Sequence, residues 1–318
     1  MAMKVLQKIK GLQSSKAVFV LLLFATMQTT IQACEICGCS GSGYHFGILP
    51  QFKKNVIGIR HTYRNFFSQH LISEQLLIKG NTSNEYFNTT ELWGRYYIGK
   101  KIQLFAFVPF NNFRQVESGV STTASGIGDI TLAANYKAYD NADDLTKKFK
   151  QTLLVGGGIK LPTGSFRTSS SSADMNPSIN TGSGSVDFLT NVIYTCRYKR
   201  FGLNTDVNYR INTTNQQEFA YGNRLTTAAK FFYWKDVSNK FAVLPNAGIM
   251  FEHLEKDRHY DEKQNFSGGN ITTFTAGVEL YIKKINIGIT YNQPLSQDLS
   301  KSFVKMNRQL SASINFMF

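Results

Sequence analysis

Beyond its first few dozen residues the chain has no apolar run approaching the roughly 20 residues that a membrane-crossing helix needs. Cysteine is scarce: Cys34, Cys37 and Cys39 stand together, and only Cys196 lies apart from them. Acidic residues number 21 against 35 Lys and Arg, giving a formal charge of +14. No Lys/Arg cluster with interleaved aromatics accompanies that excess, which argues against nucleic acid as a partner. Walker spacing is absent, as is any nucleotide, haem or flavin motif, and no internal repeat emerges beyond a rhythm of short segments. The residues two places after His45, His61, His70, His253 and His259 are Gly47, Tyr63, Ile72, Glu255 and Asp261. None is a serine that a histidine could activate in a His-x-Ser pair, so the sequence gives no reason to expect an enzyme.

What is present begins with a leader. Lys4, Lys8, Lys10 and Lys16 precede a short apolar core over 17–27 and a polar run that ends in the small residue Ala33. That order predicts an export signal over 1–33. Without its four lysines the remaining chain carries about +10, a balance that suits anionic headgroups or an anion-tolerant interior. An exported chain lacking an apolar helix enters a membrane as strands or not at all.

The last segment supports strands. Leu310, Ala312, Ile314, Phe316 and Phe318 fall on one face at period two, with Met306 expected beside them and Arg308 as a polar intruder. Asn307, Gln309, Ser311, Ser313 and Asn315 fall on the other, with Met317 as its apolar exception. A wall with lipid on one side and water on the other requires that alternation. It recurs in twelve segments, near 54–67, 83–99, 101–113, 126–139, 149–161, 183–198, 201–213, 219–235, 239–255, 270–283, 285–292 and 306–318. The expected fold is all-β, a closed transmembrane antiparallel β-barrel of about 12 strands over 51–318, in the bacterial outer membrane. Tight joins at Lys100, Lys199–Arg200, 236–238 and Lys284 belong on the periplasmic side. Longer polar stretches near 68–82, 114–125, 162–182, 214–218, 256–269 and 293–305 are expected as outer loops.

A charge facing lipid near the midplane costs about 2–4 kcal/mol, so charged residues within strands belong in the lumen. Arg60, Arg95, Asp129, Lys160, Asp187 and Arg210 are the expected lumen-lining set. Two readings stay open for it: pairing of opposite signs across a narrow barrel, or a selectivity ladder for a solute. Gly126, Gly128 and Leu161-Pro-Thr-Gly164 read as strand punctuation, while Gly156, Gly157 and Gly158 are expected to make room for a solute or an inserted loop.

Several of these residues also carry a resemblance. Gly126-Ile-Gly-Asp-Ile130, Tyr136-Lys137, Gly156-Gly-Gly-Ile-Lys-Leu-Pro-Thr-Gly164, and Asn180-Thr-Gly-Ser-Gly-Ser185 ahead of Asp187 occur in that order, with Val108-Pro109 before them. Across roughly residues 90 to 220 the chain resembles the outer-membrane barrels described as transporters of the meta-pathway of phenol degradation. That resemblance implies a channel or transporter for passive passage of small, hydrophobic or aromatic solutes. The partners expected are outer-membrane lipid, a small-molecule solute and the barrel insertion machinery.

Cys34-Glu-Ile-Cys-Gly-Cys39 opens the expected mature chain, in a tail over 34–50 that continues with Ser40-Gly-Ser-Gly43. Ile31-Gln-Ala-Cys34 is a permissive lipobox, which would make the protein a lipoprotein. A disulfide between Cys34 and Cys37 is a second reading, and ligation of Cu(I) or another soft metal by Cys34, Cys37 and Cys39 is a third. The sequence calls for no cofactor otherwise. Alternative functions are therefore a copper-linked outer-membrane accessory or a non-conducting structural barrel.

Overall fold

A computed structural model describes residues 54–318 apart from 74–77, 143, 145 and 168–176. Twelve strands build the wall: Val56–Ser73, Ile78–Ile98, Ile102–Glu117, a fourth in two segments (Val120–Ile127 and Ile130–Asp140), Phe149–Leu161, Asp187–Tyr198, Phe201–Ile211, Arg224–Tyr233, Phe241–Leu254, Gly269–Ile282, Ile285–Leu299 and Val304–Met317. Each pairs antiparallel with its sequence neighbours. The first pairs with the twelfth from Val56 opposite Met317 to Ser68 opposite Val304, so the sheet closes. Among the described residues closure leaves the sheet without a terminal edge strand, although Val120–Ile127 pairs with the third strand alone; a closed sheet is the condition for strands to live in hydrocarbon.

The outward face is apolar at successive alternate positions: Ile57 and Ile59 on the first strand, Leu132 on the fourth, Val192 on the sixth, Ile249 on the ninth and Ile314 on the twelfth are all exposed. The inward face carries the buried polar side chains, among them Glu91, Asp187, Asn204 and Thr275. This is the reverse of a soluble protein's arrangement and matches lipid outside. Among the described residues no helix is long and apolar enough to cross a membrane.

The wall is taller than its alternation suggests. Most of 68–82, 114–125 and 293–305, expected as loops, continues as strand. Above the lipid both faces of a strand meet water, so Thr122, Thr123 and Ser125 are all exposed and no apolar face marks the segment. The hydrogen-bond ladder persists where the pattern fades.

A second difference lies in the last strand. Register slips where Asn65 faces Arg308 and Phe66 faces Met306, leaving Asn307 as an extra residue. One inserted residue reverses the side-chain parity beyond it. Met306 is consequently buried inside the barrel and does not share the lipid face of Leu310 to Phe318.

The triple glycine also differs from expectation. A Cβ on Gly156 would collide with the Asn135 side chain and the Ala134 carbonyl, and one on Gly158 would lie 2.9 Å from the Ala133 Cβ. Here glycine lets neighbouring strands and the Asn135 amide approach closely, and the room it makes is already filled.

Candidate functional site

Inward side chains sort into levels along the barrel. Near the short turns, Val56, Phe232, Leu244, Tyr281 and Met317 form an apolar cluster against which Trp93 and Trp234 pack. Above it lies a polar chamber with about 1030 Å³ of empty space, bordered by Arg60, Arg64, Glu91, Lys230, Glu252 and Glu279. Arg60 pairs with Glu91 across the first two strands, as their directly opposed register requires. Arg95 lies lower, its Nη2 donating to the Lys54 carbonyl at 3.0 Å and its guanidinium 5.4 Å from the Tyr97 ring.

Toward the long loops the lumen turns apolar again. Phe66, Phe87 and Phe113 make an edge-to-face chain with centroids 5.6 and 4.9 Å apart. Leu254, Ile271, Leu299, Val304 and Met306 complete the layer from the ninth to twelfth strands. One further member comes from none of the strands. Ile179, at the end of a 3-10 turn over Pro177–Ile179 in the segment between the fifth and sixth strands, is fully buried in this layer. That segment therefore enters the barrel.

What holds it there is an electrostatic clasp. Lys160, near the end of the fifth strand, sits 3.0 Å from Asp129 Oδ2 and pairs closely with Asp187 at the start of the sixth. Asp129 accepts hydrogen bonds from the Gly164 N–H at 3.0 Å, the Ser183 N–H at 2.8 Å and the Ser183 hydroxyl at 2.9 Å. Asp187 accepts from the Ser185 hydroxyl at 2.8 Å and the Thr213 N–H at 3.1 Å. Two carboxylates and one ammonium, all buried, are tolerable because so many donors converge on the carboxylates. Asn111 in the third strand donates to the Thr181 carbonyl at 2.8 Å and accepts from Thr89. Gly164 and Gly182 cross with so little clearance that a Cβ on Gly164 would lie 2.7 Å from the Gly182 Cα.

The outer loops press on the clasped segment. Tyr221 donates to the Pro177 carbonyl at 2.7 Å, and Phe166 stacks on Phe219 at 5.7 Å. Phe219–Ala220, Arg258–His259 and Glu262–Lys263 form a small sheet of their own. In the loop after the ninth strand, Asp257 is fully buried and accepts from the Gly222 N–H at 2.7 Å, while its Oδ2 has no hydrogen-bond partner. Burial pushes its carboxyl up to about 7, against the opposing pulls of that N–H and of Arg224.

Asp129, Lys160 and Asp187 thus come together, and Arg210 lines a cavity that Asp129 and Lys160 also border, while Arg60 and Arg95 lie at two other levels. Ile179, Asn111 and Asp257 had no sequence signal of a site: one apolar residue in a polar loop and single polar residues in strands or loops look ordinary, whereas Ser183 belongs to the Asn180–Ser185 stretch that carried the resemblance. Cys34, Cys37 and Cys39 lie outside the described residues, among which no group of three His, Cys, Asp or Glu is placed to hold a metal.

Comparison with known proteins follows the same lines. Residues 78–309 match the model of the family described as "Putative MetA-pathway of phenol degradation". Among solved structures, an outer membrane channel from Pseudomonas putida F1 aligns with a TM-score of 0.57 at 13% identity, covering 83% of this chain and 96% of that one. The β-domain of the Bordetella autotransporter BrkA gives 0.49 at 8% identity over 83% and 99%, and the transport unit of the autotransporter AIDA-I from Escherichia coli 0.47 at 9% over 88% and 94%. Of these three the channel carries the comparison, and at that identity it speaks for the fold. No curated protein matches the chain at a significant level. Closed wall, apolar belt and matched fold make this a bacterial outer-membrane barrel.

Proposed function

The chain belongs to that phenol-degradation family of outer-membrane barrels, and from this premise we propose that it is a gated channel for passive passage of small solutes, hydrophobic or aromatic ones among them. One observation carries the reading: a polar chamber lies between two apolar clusters, and the outer cluster is completed by a residue from an inserted segment. A layer built partly by a loop can be dismantled without breaking any strand pairing. A layer built by the wall alone cannot. In the closed arrangement, strongly hydrated ions meet an apolar barrier, whereas a solute with apolar surface loses less on entering it. The charges of the chamber serve to keep its walls wet and apart, and the reading assigns the protein no reaction.

The test is conductance in planar bilayers with purified protein, alongside swelling of liposomes by small uncharged solutes. Ile179→Asp places a hydrated charge in the apolar layer and should raise conductance severalfold over a small parental value. A barrel that stays silent in both forms, and admits no solute in swelling, is the non-conducting structural barrel and defeats the channel reading.

A further inference from the structure

The short turns of the barrel concentrate positive charge. Lys100–Lys101, Lys199–Arg200 and Lys283–Lys284 occupy the turns after the second, sixth and tenth strands, and all six side chains are exposed. Each of these turns lies four strands from the next in a wall of twelve, so the pairs stand about a third of the circumference apart. Lys148 and Lys240, also exposed, carry the charge through the two short turns between them. The carboxylates at this end are already engaged: Asp140 with Lys137 at 2.7 Å, Asp144 beside Lys147 at 3.9 Å, and Asp236 as acceptor from the Trp234 indole N–H at 2.8 Å. Among the described residues no carboxylate is ion-paired with any of the three turn pairs. At the opposite end exposed acids, Glu218, Asp261, Glu262 and Asp298 among them, are interspersed with the exposed cations.

Turn geometry does not account for the lysines. Lys199 and Lys283 have φ of 55° and 53°, a left-handed conformation that glycine or asparagine adopts more readily, and the turn after the second strand meets the same need with Gly99 at 60°. Nor does the lumen claim them. Lys101 Nζ lies 5.8 Å from the centroid of the Tyr136 ring, and Lys199 Nζ 5.4 Å from that of Tyr198. Both tyrosines are exposed on the lipid face, so these ammonium groups stand on the outer perimeter of the wall, where aromatic side chains mark the level of the headgroups.

We propose that this rim binds the anionic phospholipid headgroups of the periplasmic leaflet, with their phosphates held by the paired turn cations and their acyl chains lying against Tyr136 and Tyr198. Short turns of bacterial barrels face the periplasm, and clustered Lys and Arg at the edge of a membrane-spanning wall attract anionic lipid. A protein docking from one side would need the charge gathered on that side. Here it is spread round the rim, as a surrounding leaflet is. The inference is independent of solute passage and holds for an open or a closed barrel.

Native mass spectrometry of the full, detergent-folded barrel, offered dioleoylphosphatidylglycerol and dioleoylphosphatidylethanolamine in equal amounts, compares an anionic with a zwitterionic headgroup on the same acyl chains. The parent should retain phosphatidylglycerol about fivefold more than phosphatidylethanolamine. Lys199→Asn, Arg200→Gln, Lys283→Asn and Lys284→Gln combined should bring that ratio to about twofold or below, asparagine being suited to the two left-handed positions. Heat-modifiable migration on gels checks folding, and Lys283→Asn with Lys284→Gln serves alone, with a smaller fall in the ratio, if the fourfold variant does not assemble. Lys256→Gln with Lys263→Gln, at the opposite end, should leave the ratio where it was. Equal retention of the two lipids by the parent, a ratio indifferent to the turn substitutions, or an equal fall on substituting Lys256 and Lys263 overturns the proposal. A parent without lipid preference that cosediments with purified peptidoglycan sacculi, and no longer does so once the turns are neutralised, overturns it in favour of the anionic cell wall.

Discussion

Lys160 is the residue on which the clasp turns. It is buried between Asp129 and Asp187, and the three come from adjacent strands whose ends the inserted segment bridges. Lys160→Met keeps the length and apolar stem of the side chain and deletes the charge. Two buried carboxylates are then left facing each other, and breaking a buried pair in this way costs about 3–5 kcal/mol. The wall has its own ladder, so the cost falls on the segment. The variant should assemble, be cleaved by protease between the fifth and sixth strands faster than the parent, and conduct more. Unchanged cleavage and conductance would mean that the clasp does not hold the segment in place. Asp257 makes a separate prediction, because its carboxyl is raised from the ordinary 3.8 to about 7. A raised acid binds its proton more tightly folded than unfolded. The packing it supports is therefore fully present below about pH 4 and weakens as pH climbs through 7, by on the order of a few kcal/mol at the top of that range. Asp257→Asn retains an acceptor for the Gly222 N–H and removes the charge. Thermal unfolding at pH 5 and pH 8 should differ less in the variant than in the parent, with the variant the more stable at pH 8.

At the scale of elements, the final strand is the clearest case. Phe316 and Phe318 stack outward with centroids 6.2 Å apart, and the Phe318 N–H and carbonyl both bond to Asn55, joining the two ends of the wall. Deleting Phe318 removes those two hydrogen bonds at the end of the seam and the terminal aromatic expected to be recognised by the insertion machinery. The heat-modifiable, assembled fraction in outer membranes should fall severalfold; normal assembly would show that the terminus is dispensable. The lipid-crossing parts of the strands were legible in sequence because lipid imposes a strict rule on them, visible in Ile130, Leu132, Ala134 and Tyr136 against Thr131, Asn135 and Lys137. Where the rule lapses, legibility lapses with it. The strand ends above the lipid carried no alternation, and the slip at Asn307 reversed the face of Met306 without any compositional mark. The site was half legible. Asp129, Lys160 and Asp187 stood out as charges within apolar alternation, but that they meet depends on a loop entering the lumen, and Ile179 gives no local hint of it. Asn135 filling the space beside Gly156 is likewise a matter of contact between strands, which a single strand's pattern does not encode.

For the whole molecule, the levels of the lumen explain why one chain carries both charged and apolar inward positions. A uniformly polar interior would be an open pore, and a uniformly apolar one would have no reason to tolerate Arg60, Glu91 and Lys230 in the wall. The inserted segment has one further consequence. It is moored by Asp129, Lys160 and Asp187 to the fourth, fifth and sixth strands, while Ile179 is buried in the apolar layer built by side chains of the first three and last four. A thin tube of a dozen strands is most easily deformed by flattening into an ellipse, a motion that needs no ladder to break. A crosspiece tied to one wall and braced against the opposite one resists that flattening, so the barrel's roundness is a property of its loop as much as of its sheet. Anything that frees the segment would then soften the tube over its whole circumference, and traffic through the protein would be set by the stiffness of its cross-section as well as by the width of its opening.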